Sequence, residues 1–234
     1  MPVKLDDAST DRLARVQSGE VCCSPSWEQA YLRFETPEEE RRKFLRRLRI
    51  LGASDWPRDS EVVELFCGRG NGLEALHRLG FRRLEGVDLS ATLLAQYRGD
   101  ARCYVADCRS LPFADASKDV LVVQGGLHHL ERLPEDLASV LSEARRVLRP
   151  GGRMVVVEPW LTPFLSFVHA VCDVRAARKL WPKLDALATM NELEATTYLA
   201  WLARPAEILA LLESRFRAEL LRKEWGKLLF VGRA

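Results

Sequence analysis

Val62-Val63-Glu64-Leu65-Phe66-Cys67-Gly68-Arg69-Gly70-Asn71-Gly72 decides the fold, because an apolar run ends in an acid and passes into a loop with glycine at every second position. Glycine tolerates positive φ and carries no Cβ, so backbone amides in such a loop can approach a ligand that larger side chains would push away. The spacing predicts a helix over Leu73 to Leu79, stopped by Gly80. Alone, a Gly-x-Gly-x-Gly string equally describes an ordinary tight turn. Its surroundings favour a βαβ unit. Glu64 sits at the C-terminal end of the first strand, and a second strand, Leu84 to Val87, closes on Asp88. That acid lies about 20 residues past the glycines, the distance at which one βαβ unit delivers a carboxylate to the hydroxyls of a bound ribose.

The chain of 234 residues, 47% of them apolar, suits one sizeable α/β domain with an appendage. Lys and Arg number 35 against 33 Asp and Glu, and a net charge of +2 provides no global attraction to nucleic acid or anionic membranes. A small-molecule partner is expected. The six cysteines (Cys22, Cys23, Cys67, Cys103, Cys108 and Cys172) form no zinc-like Cys-x-x-Cys pairs, so no metal site is expected. The sequence Met-Pro-Val-Lys-Leu-Asp-Asp lacks the apolar centre of a signal peptide, which predicts a reducing, cytoplasmic setting. Adjacent Cys22 and Cys23 read as half-buried thiols before they read as a redox switch. No run approaches the ~20 apolar residues of a membrane span.

Outward from the glycine loop, residues 1–58 read as an N-terminal arm with helices and 59–234 as the main domain. Residues 1–20 have no clear period and suggest an arm or strap. Ser26 to Phe34 reads as a short helix, and Thr36-Pro37-Glu38-Glu39 supplies the cap of a second one running to about Leu51. Phe44, Leu45, Leu48 and Leu51 form its apolar stripe, while Arg41, Arg42, Lys43, Arg46, Arg47 and Arg49 crowd the rest. A solvated face is favoured over an RNA-binding one, because Glu38 and Glu39 lie four residues before Arg42 and Lys43 and no aromatics interleave.

Strands are expected at Glu61 to Phe66, Leu84 to Asp88, Arg102 to Ala106, Val120 to Gln124 and Arg153 to Glu158, alternating with helical patterns. That alternation makes a parallel sheet with helices on both faces. A helix from about Leu133 to Leu148 stops at Arg149-Pro150-Gly151-Gly152. Over about 159–205 helical periodicity replaces the β pattern, which marks a helical cap insertion. Phe216 to Gly232 reads as an antiparallel pair turning near Trp225-Gly226.

Five parallel strands plus a terminal hairpin, with an acid ahead of the glycine loop, resemble the class I S-adenosylmethionine-dependent methyltransferases, over about 60–158 and again over the last strands. The resemblance implies a Rossmann-like α/β fold, a seven-stranded, mostly parallel sheet with a C-terminal antiparallel hairpin. It also implies S-adenosyl-L-methionine as cofactor, leaving as S-adenosyl-L-homocysteine. Glu64 to Gly72, including Gly68 and Gly70, looks like the family's first motif. Asp88 with Leu89 is similar to the ribose-binding acid segment, Asp107 with Cys108 to the acid that receives the adenine amino group, and Leu111-Pro112-Phe113-Ala114-Asp115 to the loop before strand four. Gln124 to Leu130 resembles the segment beneath the methionine part, and Arg145 to Gly152 is typical of the small-molecule branch. Phe66 stands where the family usually has a glycine, and is expected to narrow the methionine end of the pocket.

The cofactor's own chemistry supports the same set. Its ribose hydroxyls, adenine amino group and ammonium all want acceptors, and its carboxylate wants backbone N–H groups. Methyl transfer from a sulfonium is a direct displacement that depends on alignment and desolvation. For an acidic acceptor a neutral histidine can take the proton or hold the acceptor, and His128 and His129 follow strand four where the sheet opens. His128 is the preferred one, with His129 read as a packing cap; His169, Asp173, Glu192 and Tyr198 are weaker candidates. The aromatic-rich insertion fits an apolar or aromatic acceptor as well as it fits core packing, and Leu161 to Cys172 fits a membrane surface less well. Methylation of a tRNA or rRNA base, a non-catalytic cofactor-binding module and a nucleotide-dependent oxidoreductase are the alternatives.

Overall fold

The computed structural model describes residues 13–15 and 25–234, so Cys22 and Cys23 lie outside the described residues. Its centre is an eight-stranded sheet of order β1-β4-β3-β2-β5-β6-β8-β7. These strands are β1 (Leu13–Arg15), β2 (Glu61–Leu65), β3 (Arg83–Asp88), β4 (Arg102–Val105), β5 (Lys118–Gln124), β6 (Leu148–Pro159), β7 (Arg217–Glu224) and β8 (Lys227–Arg233). The first six run parallel, while β8 lies antiparallel to both β6 and β7. Chain order reverses between β2 and β5, which opens a crevice at their carboxyl ends, the usual ligand position in such sheets.

The eighth strand is the element the sequence did not signal. Leu13–Arg15 pairs with Cys103–Val105 at the sheet edge, and three residues are too few to display an alternating pattern. Strand β6 also begins earlier than expected, at Leu148. The segment read as a stop is carried into the sheet by pairing at its far side, where Gly151 N donates to Ala234 O and Ala234 N to Gly152 O. The β6 segment is longer than its β5 partner there, and the register shifts between Lys118 and Val120.

Helices α1 (Pro25–Phe34) and α2 (Pro37–Ile50) precede the sheet. Thr36 caps α2 in a full capping box with Glu39. Phe44 and Leu48 are buried, while Arg41 pairs with Glu38 and Glu74 and Lys43 with Glu35. Two of the six basic side chains of α2, Arg41 and Lys43, are thus matched by acids. Helix α3 (Asn71–Arg78) starts two residues earlier than the periodicity implied, because Gly70, left-handed at φ +76, accepts from Glu74 N and so opens the helix itself. Helices α4 (Ala91–Leu94) and α5 (Glu135–Val147) complete the alternating part.

Four helices, α6 (Pro163–Cys172), α7 (Arg175–Leu180), α8 (Pro182–Leu193) and α9 (Ala195–Leu202), form the cap, and α10 (Pro205–Arg215) leads back to the hairpin. Trp201 pins the cap to the sheet: it is fully buried, and its indole N–H donates to Pro159 O at 2.8 Å. Helix α1 closes the other side, with Trp27 Nε1 donating to Glu194 at 3.0 Å and Arg33 reaching Asp185 at 3.4 Å. Among the described residues no helix is long and apolar enough to cross a membrane.

Trp201→Phe keeps most of the packing but leaves the Pro159 carbonyl without its donor, so urea unfolding should show a loss of about 1–3 kcal/mol. Trp201→Ala adds a cavity and should cost about 3–5 kcal/mol. No loss for Trp201→Phe beside a full loss for Trp201→Ala would mean that the indole hydrogen bond contributes nothing.

Candidate functional site

One cavity of about 1450 Å³ lies over the carboxyl ends of β2–β6, beneath the cap and beside α1 and α2. Glu64, Phe66, Gly68, Asp88, Leu89, Asp107, Cys108, Gln124, His128 and His129 all line it. Four parallel strands bring residues far apart in sequence to a single edge. Gly70 and Gly72 do not reach the wall and act on the loop's shape instead. A Cβ on Gly70 would fall 2.2 Å from the Tyr97 ring, and one on Gly72 would fall 1.7 Å from Glu64 Oε1. Gly72 is therefore the space that lets the Glu64 carboxylate lie under the helix start.

Phe66 occupies its position at a price in strain, at φ +56, a left-handed conformation that disfavours residues with a Cβ. Its ring fills the volume left by Gly126, where an added Cβ would lie 2.2 Å from the Phe66 Cγ. The departure from glycine at residue 66 is thus matched by a glycine 60 residues later.

Asp88 lies at the tip of β3. Its Oδ2 accepts from Gly68 N at 2.8 Å and its Oδ1 from Ser90 N at 2.7 Å, which ties the glycine loop to the neighbouring strand. Burial raises its pKa, opposed by these backbone N–H groups. Glu64 is fully enclosed, and burial, with the nearby Glu40 charge, raises its carboxyl well above the ordinary range. Its Oε2 has no hydrogen-bond partner, nor do Nε2 and Oε1 of Gln124. Such orphans are rare in folded proteins and call for a ligand or solvent. Asp107 is gripped by Arg109, with Nη2 to Oδ2 at 2.6 Å, and Arg109 reaches on to Asp136 at 2.9 Å. Burial pushes the Asp107 carboxyl up, but the guanidinium wins and holds it below its ordinary value. Cys108 is buried, which pushes its thiol far up and leaves it an apolar wall.

This donor set fits S-adenosylmethionine. The orphaned Glu64 Oε2 suits an ammonium, Asp88 suits vicinal hydroxyls, and Asp107 suits an amino donor.

Beside these acids lies a second group. His128 Nδ1 is 2.7 Å from Glu158 Oε2, while Glu158 Oε1 accepts from Gly126 N and Leu127 N at 2.8 Å each. The two backbone donors fix the carboxylate in place, and its other oxygen accepts from the imidazole at Nδ1. Nε2 is left as an acceptor, 3.9 Å from Glu194 Oε2. His129 Nδ1 is 3.5 Å from that same oxygen, and its ring packs edge-on to Trp27. Burial holds His129 well below its ordinary pKa. One ring nitrogen of each histidine and one carboxylate oxygen of Glu194 lie within 4.8 Å of one another.

Of the weaker candidates, Tyr198 lines the cavity and its hydroxyl meets His169 Nε2 at 3.0 Å. Asp173 is exposed at the end of α6, and Glu192 pairs on the surface with Arg178 at 2.5 Å. Neither lines the cavity. Sequence reading overlooked Glu158, Glu194, Trp27, Arg47 and Lys227. Glu158 had a signal, since it ends a strand as Glu64, Asp88 and Asp107 do; the others sit on elements whose docking the local sequence does not specify.

A family model described as "Methyltransferase domain" matches residues 63–156. The ubiquinone/menaquinone biosynthesis C-methyltransferase UbiE of Rubrivivax gelatinosus is 37% identical over 147 residues, covering 59% of this chain and 53% of that protein. The 27-O-demethylrifamycin SV methyltransferase of Amycolatopsis mediterranei is 26% identical over 156 residues, covering 63% and 55%. The chain spans about half the length of these curated relatives. In fold it is similar to the PH0226 protein of Pyrococcus horikoshii OT3, with TM-score 0.66 and 19% identity over 90% of this chain and 99% of that one. It is also similar to an S-adenosylmethionine-dependent methyltransferase of Mesorhizobium loti, with TM-score 0.55 and 20% identity over 80% and 96%.

Gly126→Ala should lower thermal stability, because the Phe66 ring stands where the methyl must go. Combined with Phe66→Gly the loss should shrink, giving a coupling of about 0.5–3 kcal/mol. Strict additivity would show that the two residues do not compete for one space.

Proposed function

We propose that this chain is a class I S-adenosylmethionine-dependent methyltransferase that transfers a methyl group to an O, N or C atom of a small-molecule acceptor. One observation carries the reading: the Glu64 carboxylate, with its Oε2 unpartnered, and the Asp88 carboxylate share a cavity with a carboxylate-held histidine. In this reading Glu64 holds the ammonium of the cofactor, Asp88 its ribose hydroxyls and Asp107 its adenine amino group. The amides and bare backbone around Gly68, with Phe66, Leu89, Cys108 and Gln124, complete the wall. The cofactor supplies an electrophilic methyl on a sulfonium.

The chain's own residues align and desolvate the acceptor. Nε2 of His128 accepts a hydrogen bond from the acceptor and takes its proton where that proton is acidic; Glu158 fixes the tautomer and stabilises the resulting imidazolium. His129 with Glu194 and Trp27 forms the wall that keeps water from His128. An apolar or aromatic acceptor body suits Phe164, Val168, Leu184 and Leu187 on the cap side. The printed activities of the relatives, a quinone-pathway C-methylation and an O-methylation of a rifamycin, are of this kind. The nucleic-acid alternative is not favoured, because Arg41 and Lys43 are taken up by Glu38, Glu74 and Glu35.

Asp88→Ala should reduce S-adenosylhomocysteine affinity at least tenfold by calorimetry while the circular dichroism spectrum stays that of the parent. Binding as tight as the parent's would remove the ribose assignment. Glu64 gives a pH signature. Its carboxyl, raised by burial, is protonated at the lower end of the range, and a bound ammonium needs it ionised. Affinity should therefore rise with pH and level off once Glu64 is ionised without ligand, and Glu64→Gln should flatten that rise. An unchanged profile in the variant would assign the titration elsewhere. Once an acceptor is in hand, His128→Ala should lower kcat about 10²–10⁴-fold with an acidic acceptor, and an unaffected kcat would restrict His128 to packing.

A further inference from the structure

Two cations on the cavity wall, Arg47 of α2 and Lys227 at the head of β8, make no ion pair or hydrogen bond with any described residue. Their neighbours are matched. Lys43 pairs with Glu35, Glu40 accepts from the Tyr31 hydroxyl and from Asn71 Nδ2, Lys183 meets Glu39 at 2.7 Å, and Glu194 takes the Trp27 N–H. Both unmatched side chains are half-buried. Burial, then the charges of Arg47 and Lys43, push the Lys227 ammonium down to about 7 against the pull of the non-contacting Glu158 and Glu194, and burial lowers Arg47 too, against Glu35, Tyr31, Glu40 and Glu158. A charge withdrawn from water without a partner is costly, and the cost is offset when a ligand brings the opposite charge.

Position decides which ligand. Lys227 faces Pro159 in the β6–β8 register, one residue past the Glu158 that holds His128. Its ammonium lines the cavity and is drawn by Glu158 and Glu194, the two acids beside His128, so it belongs to that end of the cavity. Strands β5 and β6 stand between β2 and β8. At roughly 4.8 Å per strand, about 14 Å separates the Glu64 strand from the Lys227 strand. An amino-acid group held at Glu64 has its own carboxylate within a few bonds and does not span that gap.

We propose that Lys227, with Arg47, receives an acidic oxygen group, a carboxylate or phenolate, on the methyl acceptor, whose apolar body lies along Phe164, Val168, Leu184 and Leu187 of the cap. This rests on the methyltransferase reading of the same cavity. The acceptor is then an amphiphilic acid, and the cation beside Glu158 sets its orientation so that the atom to be methylated faces His128. Lys227 is a specificity residue: it grips the acceptor away from the reacting atom.

The test uses the full chain loaded with S-adenosylhomocysteine and titrated calorimetrically with octanoate, benzoate and 4-hydroxybenzoate, each against its own amide. At least one acid should bind about tenfold or more tighter than its amide. Lys227→Met should bring that ratio to about threefold or less while S-adenosylhomocysteine affinity stays within about twofold of the parent. Ligand-free Lys227→Met should melt no lower than the parent, since it removes an unmatched charge, and Lys227→Gln serves as a second variant with the same expectation for the ratio. Acids and amides binding alike, including neither binding, overturns the proposal, as does an acid preference that survives both Lys227 variants. If Arg47→Met weakens S-adenosylhomocysteine and leaves the acid preference intact, Arg47 serves the cofactor's carboxylate and its share of the proposal is overturned. Failure of the parent to bind S-adenosylhomocysteine would instead bring down the underlying reading.

Discussion

Burying the Glu64 carboxylate without a counter-charge is the constraint around which the site is organised. The acid ends the central strand β2, is shut off from solvent, and keeps one oxygen without a partner. Room for it exists only because Gly72 has no side chain, and the loop between them turns through left-handed positions at Phe66, Gly68 and Gly70. Asp88 then fastens that loop from the next strand through Gly68 N. A carboxyl in such surroundings is neutral or awaits a cation. Within this chain no described side chain supplies one, and the same wall holds the other acceptors that an adenosyl amino acid requires.

A second carboxylate, Glu158, does for the turn after β5 what Asp88 does for the glycine loop. One of its oxygens collects two backbone N–H groups of the turn after β5, and the other collects the His128 imidazole. The turn, the histidine tautomer and the direction of Nε2 are all set by one side chain on β6. The cap and α1 then close over it, and Glu194 and Trp27 meet each other across elements far apart in sequence. A buried network of this sort, whose Glu158 oxygens are both taken up, fixes the position of His128.

The strands, the glycine loop and the acids at the tips of β2, β3 and β4 were legible in the sequence because each is written locally, in a short apolar run followed by a carboxylate and turn residues. The terminal hairpin was legible for the same reason, with Trp225 and Gly226 supplying the turn. What the sequence hid is what depends on tertiary docking. Three residues at 13–15 carry no period, so their edge pairing with β4 was invisible. Glu194 and Lys227 read as ordinary surface charges of a helix junction and a strand start, and only the folding of α1, α2 and the cap over β6 makes them part of the cavity wall. Phe66 looked like a departure from pattern, and its explanation lies at Gly126, which no local reading connects to it.

The central claim is that carboxylates at successive strand tips converge with the bare-backbone turn on one adenosyl amino acid. A crystal structure of the chain with S-adenosylhomocysteine tests it most directly. The account predicts the ribose hydroxyls on Asp88, the adenine amino group at Asp107 and the ammonium on the free oxygen of Glu64. Density for the compound anywhere else in the cavity, or its ammonium turned away from Glu64, would contradict it.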